Sequence, residues 1–366
     1  MQKELKETFY GKTVLVTGHT GFKGTWLTIW LQELGAKVIG YSLEPPTTPS
    51  IFEITETAET MNHIIGDVRD LKKLSQTIQE HKPEVIFHLA AQPIVLHSFD
   101  QPQETFSVNV GGTVNLLEAS RNNDFIKAIV IITTDKVYEN REWVWGYREN
   151  DVLGGNDPYS ASKAMAEMAA DSYRKSFFTG STAIATARAG NVIGGGDFSD
   201  FRLIPDAMKA LMNRKPVEVR NPNSIRPWMH VLDPLRGYLT LASCLVQDGQ
   251  MFAEAWNFGP LEHEAISAQR MVEKSIELWG DGDWLDVSSL DANAETNLLR
   301  LNWDKAANRL DWHPVYNWEI AIAETIDWFK EFENYSQNPK NAGYMREVCV
   351  SHVNKYMQNF QPRKRS

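Results

Sequence analysis

A hydroxyl, a carboxylate and an amine follow one another at Thr134, Asp135 and Lys136. They end a β-branched run typical of a strand, so we expect all three at the mouth of a sheet. Tyr159 and Lys163 are spaced four residues apart on the next predicted helix, which puts both on one helical face. A nearby ammonium favours the phenolate, so Tyr159 could deprotonate an alcohol although free tyrosine titrates near ~10. The two segments together predict redox and elimination chemistry at one centre.

Each of these patterns also has a structural interpretation. A tyrosine and a lysine four residues apart often occur on helices by chance, and Asp135 with Lys136 could form a surface ion pair. Pro158 suits the start of a helix just before Tyr159, and a hydroxyl-rich strand end lies upstream. This context favours the catalytic interpretation.

The elements that must position these groups begin near the N-terminus, where a β-rich run at 12–17 leads through a glycine-rich turn into a helical stretch to Leu34. Further strands are predicted near 38–42, 64–65, 85–89, 128–133, 183–188 and 256–258, with helical patterns near 70–80 and 101–121. This alternation predicts an α/β fold with a Rossmann-type, doubly wound parallel sheet. A shift in composition after 194–197 predicts a smaller C-terminal α/β substrate-binding domain.

The glycine-rich turn would let backbone amides approach a pyrophosphate at a helix N-terminus. Its GxxGxxG spacing differs from the common GxGxxG, and a tight strand-to-helix connection is the alternative, but its place at the first strand favours a dinucleotide. The second strand ends in Ser42 instead of the usual ribose-binding acid, although Glu44 could substitute. Asp67 could bind the adenine amine or cap a turn. No Arg or Lys near Ser42 is placed for a 2′-phosphate, so the sequence predicts NAD over NADP.

Composition and charge exclude several classes of protein. The chain has 366 residues, 42% hydrophobic and 23% charged content, and a net charge of −10, which argues against a nucleic-acid protein. Cys244 and Cys349 form no CxxC pattern and the histidines form no metal-ligand motif, so we expect a cytoplasmic protein without a metal. The N-terminus lacks a signal-peptide pattern, and no apolar run is long enough to span a membrane. Residues 362–366 are predicted to form a frayed basic tail.

Several motifs occur together in one order along the chain: TGHTGFKG at 17–24, HLAAQP at 88–93, TTDK at 133–136, YSASK at 159–163, RAGNVIGGGD at 188–197, IRPWMHVLDP at 225–234 and WNFGP at 256–260. In this order the chain resembles the nucleotide-sugar enzymes of the extended short-chain dehydrogenase/reductase family. TDK stands where dTDP-glucose dehydratases carry an Asp-Glu pair, so the likeness is to the CDP-sugar 4,6-dehydratase branch. Leu96 and His97 depart from the Arg-containing run that this resemblance leads us to expect.

The resemblance implies an NAD-binding domain at 1–189, with return segments near 225–260, and a nucleotide-sugar-binding domain in the remainder of 190–366. It also implies CDP-glucose as the substrate, which loses water after transient C4 oxidation to give CDP-4-dehydro-6-deoxyglucose for O-antigen-type polysaccharide. A homodimer or homotetramer without nucleic-acid or membrane partners is expected. An NAD-dependent 4-epimerase and a non-catalytic Rossmann sensor are the alternatives.

The same resemblance implies a division of roles within the site. Tyr159, assisted by Lys163 and Thr134, would oxidise C4, whereas Lys136 would remove the C5 proton and Asp135 would protonate the departing C6 hydroxyl. Tyr159 and Lys163 would also contact the cofactor. The other expected cofactor-binding residues are Gly18, Gly21, Phe22, Gly24, Ser42, Asp67, Val68, Leu89, Ala90 and Ala91. The expected substrate-binding residues are Gln92, Asn191, Arg202, Arg220 and Arg226.

Overall fold

The structure, a computed structural model, describes residues 2–261, 266–288, 299–338 and 341–360. The basic tail predicted at 362–366 lies outside these residues. Within them, no helix combines the length and the apolar composition needed to cross a bilayer.

A parallel sheet of seven strands forms the centre of the molecule, in the order β11-β6-β5-β4-β1-β2-β3. Its strands are β1 (Thr13–Thr17), β2 (Lys37–Ser42), β3 (Asn62–Ile65), β4 (Val85–His88), β5 (Ala128–Ile132), β6 (Ala183–Ala189) and β11 (Ala255–Phe258). The order reverses between β1 and β4, which creates the crevice where open α/β sheets bind ligands. The predicted doubly wound Rossmann-type sheet is confirmed.

Among the residues that the structure describes, six short strands pair outside this sheet. They are β7 (Asn191–Ile193) with β10 (Trp228–His230), β8 (Val217–Val219) with β13 (Trp284–Asp286), and β9 (Ile225–Arg226) with β12 (Ile266–Ser267). All of them follow residue 190, where the sequence predicts the substrate domain to begin. The division at 189/190 itself stays a prediction.

The helices are α1 (Gln2–Phe9), α2 (Phe22–Glu33), α3 (Ile51–Ile54), α4 (Leu71–His81), α5 (Val95–Asp100), α6 (Pro102–Phe106), α7 (Gly112–Ser120), α8 (Pro158–Ser176), α9 (Leu203–Met212), α10 (Leu232–Asp248), α11 (Ala268–Trp279), α12 (Asp304–Leu310), α13 (Trp318–Gln337) and α14 (Tyr344–Asn359). The helical pattern predicted at 101–121 is divided into α6, a π-helical turn at Ser107–Gly111, and α7. Such turns often occur at functional sites.

Helices cover both faces of the sheet because successive side chains of a strand point to opposite faces. Val14 and Val16 of β1 pack in the core that includes α1, α2 and α10. Leu15, between them, packs in the core with α4, α7 and α8. With both faces buried, the carboxyl ends of the strands remain as the edge at which polar side chains can gather.

Candidate active site

The segment that follows β5 carries the first group of candidate catalytic residues. Thr134 caps a 3₁₀ turn at Asp135–Val137, and its Oγ1 accepts a hydrogen bond from the Lys136 main-chain nitrogen over 3.4 Å. The same Oγ1 donates to Asp135 Oδ1 over 3.0 Å. Thr134 and Asp135 are 7% and 5% exposed, whereas Lys136 is partly exposed. Within the described ranges, the Lys136 ammonium has no ion-pair partner.

Asp135 is placed to act as a proton donor. Burial raises the pKa of its carboxyl, and the positive charge of Lys136 and the hydrogen bond from Thr134 only partly oppose this effect. Lys23 and Arg226 also act on Asp135, in the same direction as Lys136. The carboxyl therefore keeps its proton to a higher pH than an exposed aspartate, as a general acid requires.

Helix α8 brings the second group of residues to the first. Asp157 caps the helix by accepting a hydrogen bond from the Ser160 main-chain nitrogen, and Pro158 occupies the first turn. The Thr134 side chain lies close enough to the Tyr159 phenol to lower its pKa. Lys163 Nζ donates to the Ile132 carbonyl oxygen over 2.9 Å. The two sequence segments, far apart along the chain, therefore meet at the end of β5.

The protonation of Tyr159 differs from the sequence-based expectation. Burial raises its pKa to about 12, although the nearby Thr134 side chain and the charge of Arg202 oppose this. Burial also lowers the pKa of Lys163 to about 8, and the Lys163 ammonium is directed to a main-chain oxygen. The expectation of a lowered tyrosine pKa was wrong for this state, because loss of water around the phenol outweighs the cations nearby.

The glycine-rich turn lies against the end of β4 at the topological switch point. Gly18 has φ +74°, and a Cβ atom there would lie 2.7 Å from the Ala90 main-chain nitrogen. A Cβ atom at Gly24 would lie 2.1 Å from the Gly18 carbonyl oxygen. Gly21 caps α2, and Phe22 begins it. The turn is thus closely packed against the strand end. The Gly18 amide donates to the Tyr41 carbonyl oxygen and the Gly21 amide to the Gly18 carbonyl oxygen, so a pyrophosphate would use other amides at the start of α2.

The residues expected around the adenosine lie at the ends of β2 and β3. The Ser42 hydroxyl is buried and lies 2.9 Å from Thr20 Oγ1, whereas Glu44 is exposed. The Asp67 carboxylate pairs with Arg69 at 2.6 Å, and this bonding lowers the pKa of Asp67. An adenine amine would have to share Asp67 with Arg69. Val68, beside Asp67, is buried.

The loop after β4 contains Leu89, Ala90 and Ala91, which are all partly exposed. Gln92 follows them, and its side chain is engaged within the protein: Nε2 donates to Thr105 Oγ1, and Oε1 accepts from the Ile94 main-chain nitrogen. A substrate would therefore compete with these contacts. Leu96 and His97 lie on α5, where both are exposed.

The expected substrate-binding arginines lie in different surroundings. Arg202 donates to Asp197 over 3.0 Å, and its charge acts on Tyr159. Arg226 acts on Asp135 in the same way. Arg220 is 53% exposed, pairs with Asp206 at 3.0 Å, and lies over the ring of Phe201. The charges of Arg202 and Arg226 therefore act on residues of the candidate active site. Asn191, partly exposed, opens β7.

Sequence reasoning missed four residues around this centre. Asn109, in the π-helical turn, donates to Ser162 Oγ beside Lys163 and to the Gln92 carbonyl oxygen. The π-helical turn was hidden in a continuous helical pattern.

Lys23 lies just before Gly24 of the glycine-rich turn. Burial lowers its pKa to about 8, and the charge of Arg202 lowers it further. Glu167 and Arg188, which form a buried ion pair, are the other two. The i, i+4 spacing of Glu167 from Lys163 was the available signal.

The chain is similar to known protein families, sequences and structures. A family model described as GDP-mannose 4,6 dehydratase matches residues 15–325. The chain belongs to the GDP-mannose 4,6-dehydratase family. CDP-glucose 4,6-dehydratase of Salmonella typhimurium is 49% identical over 332 residues, which are 89% of this chain and 92% of that protein.

Solved structures share the fold of this dehydratase family member. dTDP-glucose 4,6-dehydratase from Bacillus anthracis, solved in complex with NAD, has a TM-score of 0.73 and 25% identity, covering 89% of this chain and 98% of that chain. UDP-glucose 4-epimerase from Thermotoga maritima, solved with UDP-glucose, has a TM-score of 0.75 and 21% identity, covering 87% and 99%. The epimerase shows the likeness of fold alone.

Proposed function

We propose that the chain is an NAD-dependent nucleotide-sugar 4,6-dehydratase, a hydro-lyase that converts CDP-glucose to CDP-4-dehydro-6-deoxyglucose and water. One observation carries the proposal: a buried acid, Asp135, and an amine, Lys136, adjoin the Tyr159–Thr134 hydroxyl pair. Oxidation at C4 needs only the hydroxyl pair and its lysine, whereas loss of water also needs an acid and a base. The relative that is 49% identical bears the name CDP-glucose 4,6-dehydratase, which supports the choice of substrate.

The residues at the switch point fit a dinucleotide cofactor. Gly18 and Gly24 are closely packed and have no side chains that would cover the backbone of the turn. Ser42 offers a hydroxyl at the end of β2. NAD, when bound, supplies a hydride acceptor for C4 and later a hydride donor for C6. The N-terminus of α2 would hold the pyrophosphate, and Tyr159 and Lys163 would hold the nicotinamide side.

In the first step Tyr159 takes the proton of the sugar O4 hydroxyl, and Thr134 hydrogen-bonds to O4. Tyr159 must itself be deprotonated to do so, and its pKa of about 12 disfavours that form. The charge of Arg202 favours the phenolate, and we expect the Lys163 ammonium, one helical turn away on α8, to act in the same direction. These cations therefore determine the fraction of the protein in which Tyr159 is deprotonated and can accept the O4 proton.

In the second step the C4 ketone makes the C5 proton acidic, and Lys136, as the neutral amine, removes it and later returns it to C5. Asp135 gives its proton to the C6 hydroxyl, which leaves as water. The raised pKa of Asp135 suits a donor, and each such acid or base contributes roughly 10²–10⁴ in rate. Lys136 and Asp135 are neighbours on one tight turn, which suits a base and an acid that act on the adjacent carbons C5 and C6 of one sugar.

The remaining expectations are part of the same proposal. Arg202, Arg226 and Arg220 would bind the diphosphate, with Asn191 and Gln92 near the sugar. We also propose a cytoplasmic homodimer or homotetramer that supplies deoxysugars for O-antigen-type polysaccharide. Apolar side chains exposed on α5 and α8, which pack together, support a self-association surface: Leu96, Phe99, Met165 and Met168.

The test uses the purified chain with NAD and, in separate reactions, CDP-, dTDP-, UDP- and GDP-glucose. We expect CDP-glucose to give a product lighter by one water, detected by mass spectrometry. A 4-epimerase would give an isomer of unchanged mass, and a non-catalytic sensor would give neither. Absence of water loss from every sugar at saturating NAD would overturn the proposal.

A further inference from the structure

A buried ion pair lies behind the candidate catalytic residues, between α8 and β6. Arg188 Nε and Nη2 donate to Glu167 Oε1 and Oε2 over 3.0 Å and 2.9 Å, and both side chains are 3% exposed. Burial would raise the pKa of Glu167, but Arg188 and the other donors hold it below its ordinary value. The anionic form of Glu167 is therefore stabilised inside the protein.

Two threonines complete the hydrogen bonding of the Glu167 carboxylate. Thr133 Oγ1 donates to Oε1, and Thr186 Oγ1 donates to Oε2 over 2.5 Å. Thr133 is the residue before Thr134, so Glu167 binds the chain directly next to a candidate catalytic hydroxyl. Charge-assisted hydrogen bonds of this kind are about twice as strong as neutral ones.

Arg188 binds the other end of the same segment. Its Nη1 donates to the Tyr138 hydroxyl over 2.7 Å and to the Glu149 carbonyl oxygen over 3.1 Å. The Tyr138 hydroxyl donates in turn to Asn257 Oδ1 over 2.7 Å. Asp135 and Lys136 lie between Thr133 and Tyr138, so the ion pair holds both ends of the catalytic turn.

Glu167 also lies one helical turn beyond Lys163 on α8. Burial lowers the pKa of Lys163 to about 8, and the charge of Glu167 opposes this change. Lys163 also interacts through its charge with two other titratable groups, Lys23 on α2 and His88 at the end of β4. His88 is neutral, because burial lowers its pKa to about 3, and Lys23 is a cation that repels a second charge. Glu167 is thus an anion that favours the ammonium of Lys163.

We propose that Glu167 is a positioning residue for the reaction: held by Arg188, Thr133 and Thr186, it fixes the catalytic turn against α8 and keeps Lys163 cationic for oxidation at C4. The inference rests on the proposed function. It assigns a role to Arg188 and Asn257, which belong to the RAGNVIGGGD and WNFGP motifs but do not act on the substrate themselves.

The first test compares Glu167→Gln with the wild type in the pH profile of C4 oxidation. Deprotonation of Lys163 should make the oxidation rate fall at high pH, and this fall is the basic limb of the profile. Without the Glu167 carboxylate, Lys163 should lose its proton more easily, so the basic limb should move to a pH about one unit lower. Glu167→Asp, which restores the charge, should restore the position of the limb at a lower rate. Asp171→Asn, a carboxylate change on the exposed part of α8, should leave the limb in place.

A second measurement needs no turnover. Lysine labelled with ¹³C at Cε reports the titration of Lys163 by NMR, with the resonance assigned by its loss in Lys163→Arg. We expect Glu167→Gln to lower the Lys163 pKa by about one unit and Asp171→Asn to leave it unchanged. Equal Lys163 titration in wild type and Glu167→Gln would overturn the inference. Failure of wild type to dehydrate any sugar would instead overturn the proposed function.

Glu167→Gln leaves Arg188 without its anion, so this variant could fail to fold. The double variant Glu167→Gln, Arg188→Met removes both charges and takes its place in the NMR titration. Thr133→Val keeps the ion pair and removes one hydrogen bond to the catalytic turn. We expect its kcat for oxidation to fall about tenfold with KM unchanged, with Thr133→Ser close to wild type. An unchanged kcat in Thr133→Val would contradict the positioning role.

Discussion

Lys163 Nζ donates a hydrogen bond to the carbonyl oxygen of Ile132 over 2.9 Å. This bond joins the helix that carries Tyr159 to the strand that leads into Thr134. Both side chains are buried, so the bond is protected from competing water. The redox residues and the elimination residues thereby form one rigid unit at the end of β5.

Replacing Asp135 by Asn should stop elimination while allowing oxidation. The amide cannot deliver a proton to the C6 hydroxyl, so we expect turnover to fall by roughly 10²–10⁴. The absorbance of reduced nicotinamide should accumulate after CDP-glucose is added, and C5 should still exchange with deuterated solvent. Glu139→Gln, an exposed acid of the same segment, is the control. Wild-type turnover in Asp135→Asn would refute the role of Asp135.

Replacing Lys136 by Met should remove the base for C5. Reduced nicotinamide should again accumulate, but exchange of the C5 proton with deuterated solvent should be lost, which separates Lys136 from Asp135. Lys127→Met removes an exposed amine before β5 and should behave as wild type. Deuterium entry at C5 in Lys136→Met, at the wild-type rate, would assign the base to another group.

Gly24→Ala should weaken NAD binding and the fold together. The new methyl group would lie 2.1 Å from the Gly18 carbonyl oxygen, and such overpacking costs about 1–3 kcal/mol. We expect the Kd for NAD, measured by calorimetry, to rise about tenfold or more. Gly111→Ala is a matched control, because a Cβ atom there meets nothing within 4 Å. Equal NAD affinity in both variants would mean that the turn does not hold the cofactor.

The free energy of unfolding should decrease as the pH falls below neutrality, in part through His88. Burial lowers its pKa to about 3, below the ordinary 6.5, so the unfolded chain binds a proton that the folded chain excludes. This contribution of His88 to the free energy of unfolding is fully present above its ordinary pKa of 6.5. It is lost as the pH falls toward about 3, the pKa of His88 in the folded chain. Between pH 6.5 and about 4.5 the loss is about 2 kcal/mol.

Urea unfolding at several pH values checks this prediction. His88→Gln should flatten the pH dependence, whereas His97→Gln, which alters an exposed histidine, should leave the slope as in wild type. A slope unchanged by His88→Gln would show that other groups account for the acid sensitivity.

Local patterns were sufficient for the strands and helices of the central sheet. Alternating β-branched runs and helical periods predict β1, β4 and β5 closely, since each pattern is contained within one element. The division of the helix at 101–121 was not predictable in this way, because the sequence through Asn109 keeps a helical period across the π-helical turn. The grouping of Thr134 with Tyr159 follows from the crossover, since α8 connects β5 to the parallel strand β6 and begins at the edge of the sheet where β5 ends.

The sequence by itself determined which chemical groups are present and which elements carry them: the hydroxyl, acid and amine after β5, and the phenol and amine on α8. Only the tertiary structure decided their protonation. Burial raises the pKa of Tyr159 and lowers that of Lys163, effects that depend on how much water the packed elements exclude. The pairing of Glu167 with Arg188 also required the fold, because a buried charge is stable only where packing brings its partner to it.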